Sequence, residues 1–181
     1  MESQIRNGDL LLRFWAVTDA AAVDDIVTSS KMDFDTWLPG LTRELARFKE
    51  YVDGRAQSAT DGSGWYYCIE LGNDIVGECS IEVRERQTGE IGYWIRSDRT
   101  QVGIATRAVR AMFGPAAVHG FETLDIRCDE GNVRSAAVAR RAGFTHVATA
   151  TLDVSVVEAD SRTGREMTWR LALNARPLVG P

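Results

Sequence analysis

An α+β fold, with a mixed, mostly antiparallel central sheet and helices on both faces, is predicted by three features of the sequence. A meander with a period of two fills the middle of the chain. Helical spacing follows directly at Ile104. After it come a strand, a short helix and two more strands. The order reads β-α-α-β-β-β-α-β-α-β-β. That is not a doubly wound pattern, because the meander strands turn back on one another rather than crossing over through helices.

Leu10–Trp15 is apolar and predicts the first strand. Thr18 or Asp19 can cap a helix from Ala20 to about Ser29. Lys31–Gly40, KMDFDTWLPG, is expected as a loop closed by Pro and Gly. A second helix is expected over Leu41–Ala56, where Leu41, Leu45, Phe48 and Val52 recur every three or four residues. Ser58–Gly64 breaks the pattern. Trp65–Leu71, a turn at Gly72-Asn73-Asp74, and Ile75–Val83 predict a hairpin. Ile75, Gly77, Cys79, Ile81 and Val83 are expected on one face, with Glu78, Ser80 and Glu82 on the other. Glu90–Arg96 is the third meander strand. Ile104, Ala108, Ala111 and Met112 form a helical stripe that Pro115 must kink or end. Thr123–Cys128 is a strand, Ser135–Ala142 a short helix, and Phe144–Val157 and Arg165–Leu173 are the last strands. These two could present an edge for a homodimer.

Composition narrows the function classes. The 181 residues fit one domain, 1–181, and 44% hydrophobic content with four prolines is enough for a core. A net charge of −5 argues against a nucleic-acid partner, which needs a basic face. Nearly all the cations are arginine, which suits bidentate phosphate contacts. Cys68, Cys79 and Cys128 lie far apart with no metal-ligand spacing, so no metal is expected and the cysteines read as buried and reduced. Without an apolar signal core in MESQIRNGDL or any long apolar run, the expectation is a cytoplasmic protein without a membrane partner.

Two stretches carry chemistry. In RTQVGIATRAV (Arg99–Val109) a glycine and small residues stand where strand gives way to helix. A helix mouth there presents unpaired N–H groups and the positive end of its dipole, which stabilise an anion without side chains. Gly103 removes a Cβ that would hold a phosphate away, Ala105 is nearly as small, and Thr106 adds a hydroxyl. Read alone, the same residues serve equally as a tight strand-to-helix joint. The second stretch, EGNVRSAAVARRAGF (Glu130–Phe144), follows a strand directly. Asn132 can offer both a donor and an acceptor to an amide-bearing ligand, and Ser135 shares its end of the helix. Helix capping is the competing role for both.

Together, in this order and preceded by EIGYWI, the two stretches resemble the GNAT superfamily of acyl-CoA-dependent N-acyltransferases. More narrowly, they are similar to the branch that contains the ribosomal-protein N-terminal (alanine, serine) acetyltransferases. The resemblance implies the GNAT fold and acetyl-CoA, or another acyl-CoA such as succinyl-CoA, as cosubstrate. It implies that backbone amides of Gly103, Ile104, Ala105 and Thr106 hold the CoA pyrophosphate. It also implies that backbone groups of Tyr93, Trp94 and Ile95 pair with pantetheine as an added strand would, that Asn132 contacts pantetheine, and that Arg107, Arg140 or Arg141 meets the 3′-phosphate. The family turn begins with Gln or Arg where this chain has Thr100; Arg99 or Gln101 could replace that contact.

The implied chemistry is direct attack of a primary amine on the thioester in a ternary complex, without a protein nucleophile. Glu90, at the entry of its strand, is the first candidate to deprotonate the amine and Glu78 the second; each could instead be a solvated strand residue. A backbone N–H around Trp94 or Ile95 is the expected oxyanion donor, and Ser135 the candidate to protonate the CoA sulfur. The acceptor, a protein N-terminus or a small amine, is expected between the N-terminal helices and the last strands. There Asp33, Asp35 and Trp37 could hold a cationic amine by charge and cation–π contact. A hydrophobic staple explains Phe34 and Trp37 equally well and is preferred for Leu38. A noncatalytic acyl-CoA-binding module with the same fold is the competing function.

Overall fold

The computed structural model describes residues 1–85, 87–152 and 163–173. The chain begins with a hairpin of β1 (Gln4–Asn7) and β2 (Leu10–Phe14), turned at Gly8, whose φ of +66° suits glycine. The first strand was not expected, although Gly8-Asp9, the two-residue loop between Asn7 and Leu10, is a hairpin signal.

α1 (Ala20–Trp37) runs well past Ser29, so most of the segment expected as a loop is helical. Val23, Ile26, Ser30 and Phe34 continue one buried stripe at intervals of three or four residues, and this stripe, rather than the polar residues between, sets the length. The single helix expected over Leu41–Ala56 is two, α2 (Leu41–Leu45) and α3 (Phe48–Asp61), parted at Arg47 (φ −111°, ψ 53°). The break lets Leu41 and Leu45 share one core with Phe48, Tyr51 and Val52. α3 also takes in Ser58–Asp61, expected as part of a break.

The meander is β3 (Gly64–Leu71), β4 (Asp74–Glu85) and β5 (Thr88–Ile95), antiparallel throughout. The one-face expectation for Ile75 fails. A register shift opposite Ile69–Glu70 turns Ile75 to the α1–α3 side, while Cys79 and Ile81 pack on the other. On the face opposite Cys79, Glu78 and Ser80 are both buried, Glu78 against Tyr51 of α3.

α4 (Ile104–Ala111) and α5 (Phe113–His119) are separate helices, with Pro115 in the first turn of α5, where a missing N–H costs little. β6 (Thr123–Asp129), α6 (Val133–Ala142), β7 (Thr145–Thr151) and β8 (Arg165–Ala172) follow. Asp153–Val157, part of a predicted strand, lies outside the described residues. The sheet order is β1-β2-β3-β4-β5-β6-β8-β7, with β5 and β6 its one parallel pair among the described residues. β8 therefore lies inside the sheet and cannot offer the edge expected of it; β7 can. One core cluster joins the sheet to α4, α5 and α6, the other to α1, α2 and α3, so helices cover both faces as predicted. No described helix is long and apolar enough to cross a membrane.

Candidate active site

The sheet splits where its one parallel pair comes apart. Only Thr88–Thr123, Gly89–Leu124 and Glu90–Asp125 join β5 to β6. Beyond them β4 holds β5 as far as Ile95, and β8 holds β6 as far as Asp129. Each strand stays with its own antiparallel partner and the two half-sheets diverge. The gap is a cleft of about 870 Å³, lined by β5 from Glu90 to Ile95, β6 from Ile126 to Asp129, and the starts of α4 and α6.

Along β5 the backbone is open to this cleft. The Arg96 N–H donates across to Val76 O. By antiparallel alternation, the N–H of Trp94 also points to β4 and those of Tyr93 and Ile95 point to the cleft. The approach of the Trp94 carbonyl to Gly77, where an added Cβ would lie 2.2 Å from that oxygen, agrees with this direction.

One end of the cleft is the mouth of α4. Gly103 caps it at φ +82° without a side-chain bond, so the first N–H groups of the helix stay free of a side-chain cap. A Cβ at Gly103 would meet no protein atom within 4 Å, so the space beyond it is open. Thr106 Oγ1 is buried with no partner among the described residues. Free amides, open space and an orphan hydroxyl fit a diphosphate. Thr100 turns inward and donates to Ser97 O at 3.0 Å, and Arg99 pairs with Asp74 at 2.7 Å. Gln101 lines the cleft at φ +68°. Arg107 bonds Asp9 and Asn7 O, and Arg140 lies over Trp169; of these helix arginines Arg141 borders the cleft.

A model of the acetyltransferase (GNAT) domain matches residues 9–145, which span this cleft. The chain belongs to the GNAT acetyltransferase family. It is an acyltransferase that takes acetyl from acetyl-CoA. Its fold is similar to RimL, a ribosomal L7/L12 alpha-N-protein acetyltransferase, in complex with coenzyme A (TM-score 0.84, 22% identity, 95% of this chain and 99% of that one). It is likewise similar to Mycobacterium smegmatis RimJ in complex with CoA-disulfide (0.81, 22%, 96% and 88%). A third similar structure is the microcin C7 self immunity acetyltransferase MccE in complex with acetyl-CoA and AMP (0.80, 17%, 92% and 93%). No curated protein sequence matches the chain.

In this GNAT acetyltransferase Asn132 and Ser135 stand together at the start of α6. The Asn132 side chain accepts the Ser135 N–H at 3.0 Å, which makes it the helix cap, and both residues line the cleft. Ser135 Oγ lies 2.8 Å from the Tyr93 hydroxyl across the cleft. Cys128, expected to be buried, is only half-buried and lines the cleft beside them; burial pushes its thiol upward.

The opposite wall is α1. Asp33, Phe34, Trp37 and Leu38 line the cleft, and the longer helix accounts for this: Asp33 and Trp37 lie four residues apart on one side. Asp35 lies off that side, does not border the cleft, and pairs with Lys31. Burial works against the charge of Asp33. The Ser97 hydroxyl and the Arg134 guanidinium outweigh it and hold the carboxyl below its ordinary range.

Of the two proposed bases, Glu90 borders the cleft and Glu78 does not. Glu90 Oε2 sits 2.9 Å from both Arg84 Nε and Arg127 Nε. Glu78 is buried among aromatics, accepting from Trp15 Nε1 at 2.6 Å and Tyr51 OH at 2.5 Å, with Arg55 Nε at 3.8 Å. Burial pushes its carboxyl upward despite those partners. Sequence reasoning missed Arg127, Asp129 and Glu166 on the cleft wall. The signal available was the position of Arg127 and Asp129 at the C-terminal end of a strand that precedes a helix.

Proposed function

We propose that this acetyltransferase moves acetyl from acetyl-CoA to a primary amine by direct attack, with both substrates in the cleft at once, and that the amine is a protein N-terminus. The observation that carries the reading is the split between β5 and β6, with an anion-binding helix mouth at one end and the α1 wall at the other. A cosubstrate that is a diphosphate at one end and a thioester at the other matches that polarity. The amides from Gly103 to Thr106 take the pyrophosphate. The open edge of β5 at Tyr93–Ile95, together with Asn132, takes the pantetheine amides as a further strand would.

The acceptor enters beside Asp33 and Trp37, where a carboxylate held in its charged form and an indole face favour an ammonium group. Asp35 points elsewhere and serves the helix surface. To react, the amine must be neutral, and Glu90, through water, takes its proton. Glu78, which does not border the cleft, instead anchors the α1–α3 layer to β4 through Tyr51. Attack places negative charge on the thioester oxygen, which the N–H of Ile95 stabilises better than that of Trp94, since the latter points to β4. Collapse expels the CoA thiolate; Ser135 Oγ supplies the proton to sulfur and is reprotonated, through water, by the proton that the attacking nitrogen sheds as it becomes the amide.

The protein N-terminus as acceptor is favoured by the likeness to RimL, described as a ribosomal L7/L12 alpha-N-protein acetyltransferase. MccE, described as a self immunity acetyltransferase, favours a small amine as the second reading. Incubating the protein with isotopically labelled acetyl-CoA and either a cell lysate or a panel of small amines decides between them by mass spectrometry. Label on peptide α-amines is the expected result. Label on small amines alone selects the second reading, and label on neither rejects both.

A further inference from the structure

Tyr93 and Ser135 reach toward each other across the split, one from β5 and the other from the first turn of α6. The phenol oxygen lies 2.8 Å from Ser135 Oγ and 3.2 Å from the Ser135 carbonyl. That carbonyl also accepts the helical N–H four residues along, which leaves it one lone pair. The phenol proton goes to the shorter of its two contacts, the one with Oγ. The Tyr93 ring packs against the core on the α4–α6 side, and the Ser135 backbone is pinned by its bond to Asn132. Both members of the pair are thus held by something other than each other.

We propose that Tyr93 is the positioning residue for the leaving group: its hydroxyl donates to Ser135 Oγ, which fixes the serine and frees the serine's single proton to point at the CoA sulfur. A hydroxyl has one hydrogen to give. Were Ser135 the donor to Tyr93, it would have none left for the thiolate. This rests on the assignment of Ser135 to the sulfur made above. The ionisable groups around the pair are Cys128 on β6, Cys79 on β4 and Arg141 on α6. Burial holds the Tyr93 phenol above its ordinary range, so it remains a donor at neutral pH. The role involves the side chain of Tyr93 and is separate from the backbone contact that its open N–H makes.

The test needs no acceptor. Coenzyme A bound to the full chain is titrated with pH, following the ultraviolet absorbance of its thiolate against the same protein carrying desulfo-CoA. The wild type should bind CoA with its thiol ionising at lower pH than free CoA. Ser135→Ala should raise that value by about one unit, the scale of one hydrogen bond to a charged group. Tyr93→Phe, which keeps the ring, should raise it by most of the same amount, and the double variant should match Ser135→Ala alone. A role for Tyr93 in packing alone would leave the titration unmoved. If Ser135→Ala shifts the value and Tyr93→Phe does not, or if the two effects add, the positioning role is wrong while the serine assignment stands. If Ser135→Ala has no effect, both are wrong. Should the phenylalanine variant fold poorly, 3-fluorotyrosine at position 93 gives the opposite expectation: a stronger donor lowers the value further, and an unchanged value overturns the proposal.

Discussion

Two carboxylates on adjoining strands, one chemical type, receive opposite environments. Glu90 lies at the last paired position before the strands part, between two guanidiniums and facing the cleft. Glu90→Gln should lower turnover by about 100-fold or more while leaving CoA affinity near wild type; steady-state rates and a CoA titration measure it. Glu78 gives a stability prediction instead. Its carboxyl is pushed up by burial, so it holds its proton more tightly folded than unfolded. Such a group contributes stability that is complete below the unfolded value of 4.5 and is lost as pH rises through the folded one. Glu78→Gln removes the titration but keeps an oxygen for the Trp15 and Tyr51 donors. The variant should gain on the wild type as pH climbs from 4.5, read from paired melting curves. A difference that stays flat with pH would mean that Glu78 carries no such shift. Sequence alone ranked the two residues by place in the strand; the difference in burial comes from the α1–α3 layer.

At the scale of elements, the mouth of α4 and the β4–β5 ladder have separable roles. Gly103→Glu places a carboxylate in open space facing the free amides and forces an L residue to φ +82°. CoA affinity should fall by at least about 100-fold, roughly 2.7 kcal/mol, in a calorimetric titration; unchanged affinity would remove the pyrophosphate from this turn. Gly77→Ala tests the ladder. Its Cβ would lie 2.2 Å from the Trp94 carbonyl, a backbone atom that cannot yield without moving β5. A cost of about 1–3 kcal/mol is expected, together with a raised KM for acetyl-CoA, because the displaced strand is the cleft wall. The meander itself was legible from its period of two. The length of α1 was not, since the polar residues around Met32–Asp35 hide a buried Phe34 whose partner, Trp94, is sixty residues away in the chain.

For the whole molecule, the cleft lies between two half-sheets joined by three residue pairs of β5 and β6 and by the core they share under α4, α5 and α6. CoA binding should therefore stabilise the fold: at a ligand concentration about 100 times Kd the linkage is roughly 2.7 kcal/mol, or about 5–10 °C in Tm for a chain of this size. A thermal shift assay with and without CoA reads it, and the Gly103→Glu variant should show none of the shift.

The sequence by itself determined the α+β class, the order of most elements and the residues of both motifs, because period, caps and glycine placement are local properties of the chain. It left the hairpin at Gln4–Asn7, the reach of α1 and the split of the second helix undecided, since each follows from which surface the segment packs against. Only the tertiary structure separated Glu90 from Glu78, turned Asp35 away from Asp33 and Trp37, and brought Tyr93 to Ser135. Those are relations between residues far apart in sequence, fixed by strand register and by the layer covering each face, and no local pattern encodes them.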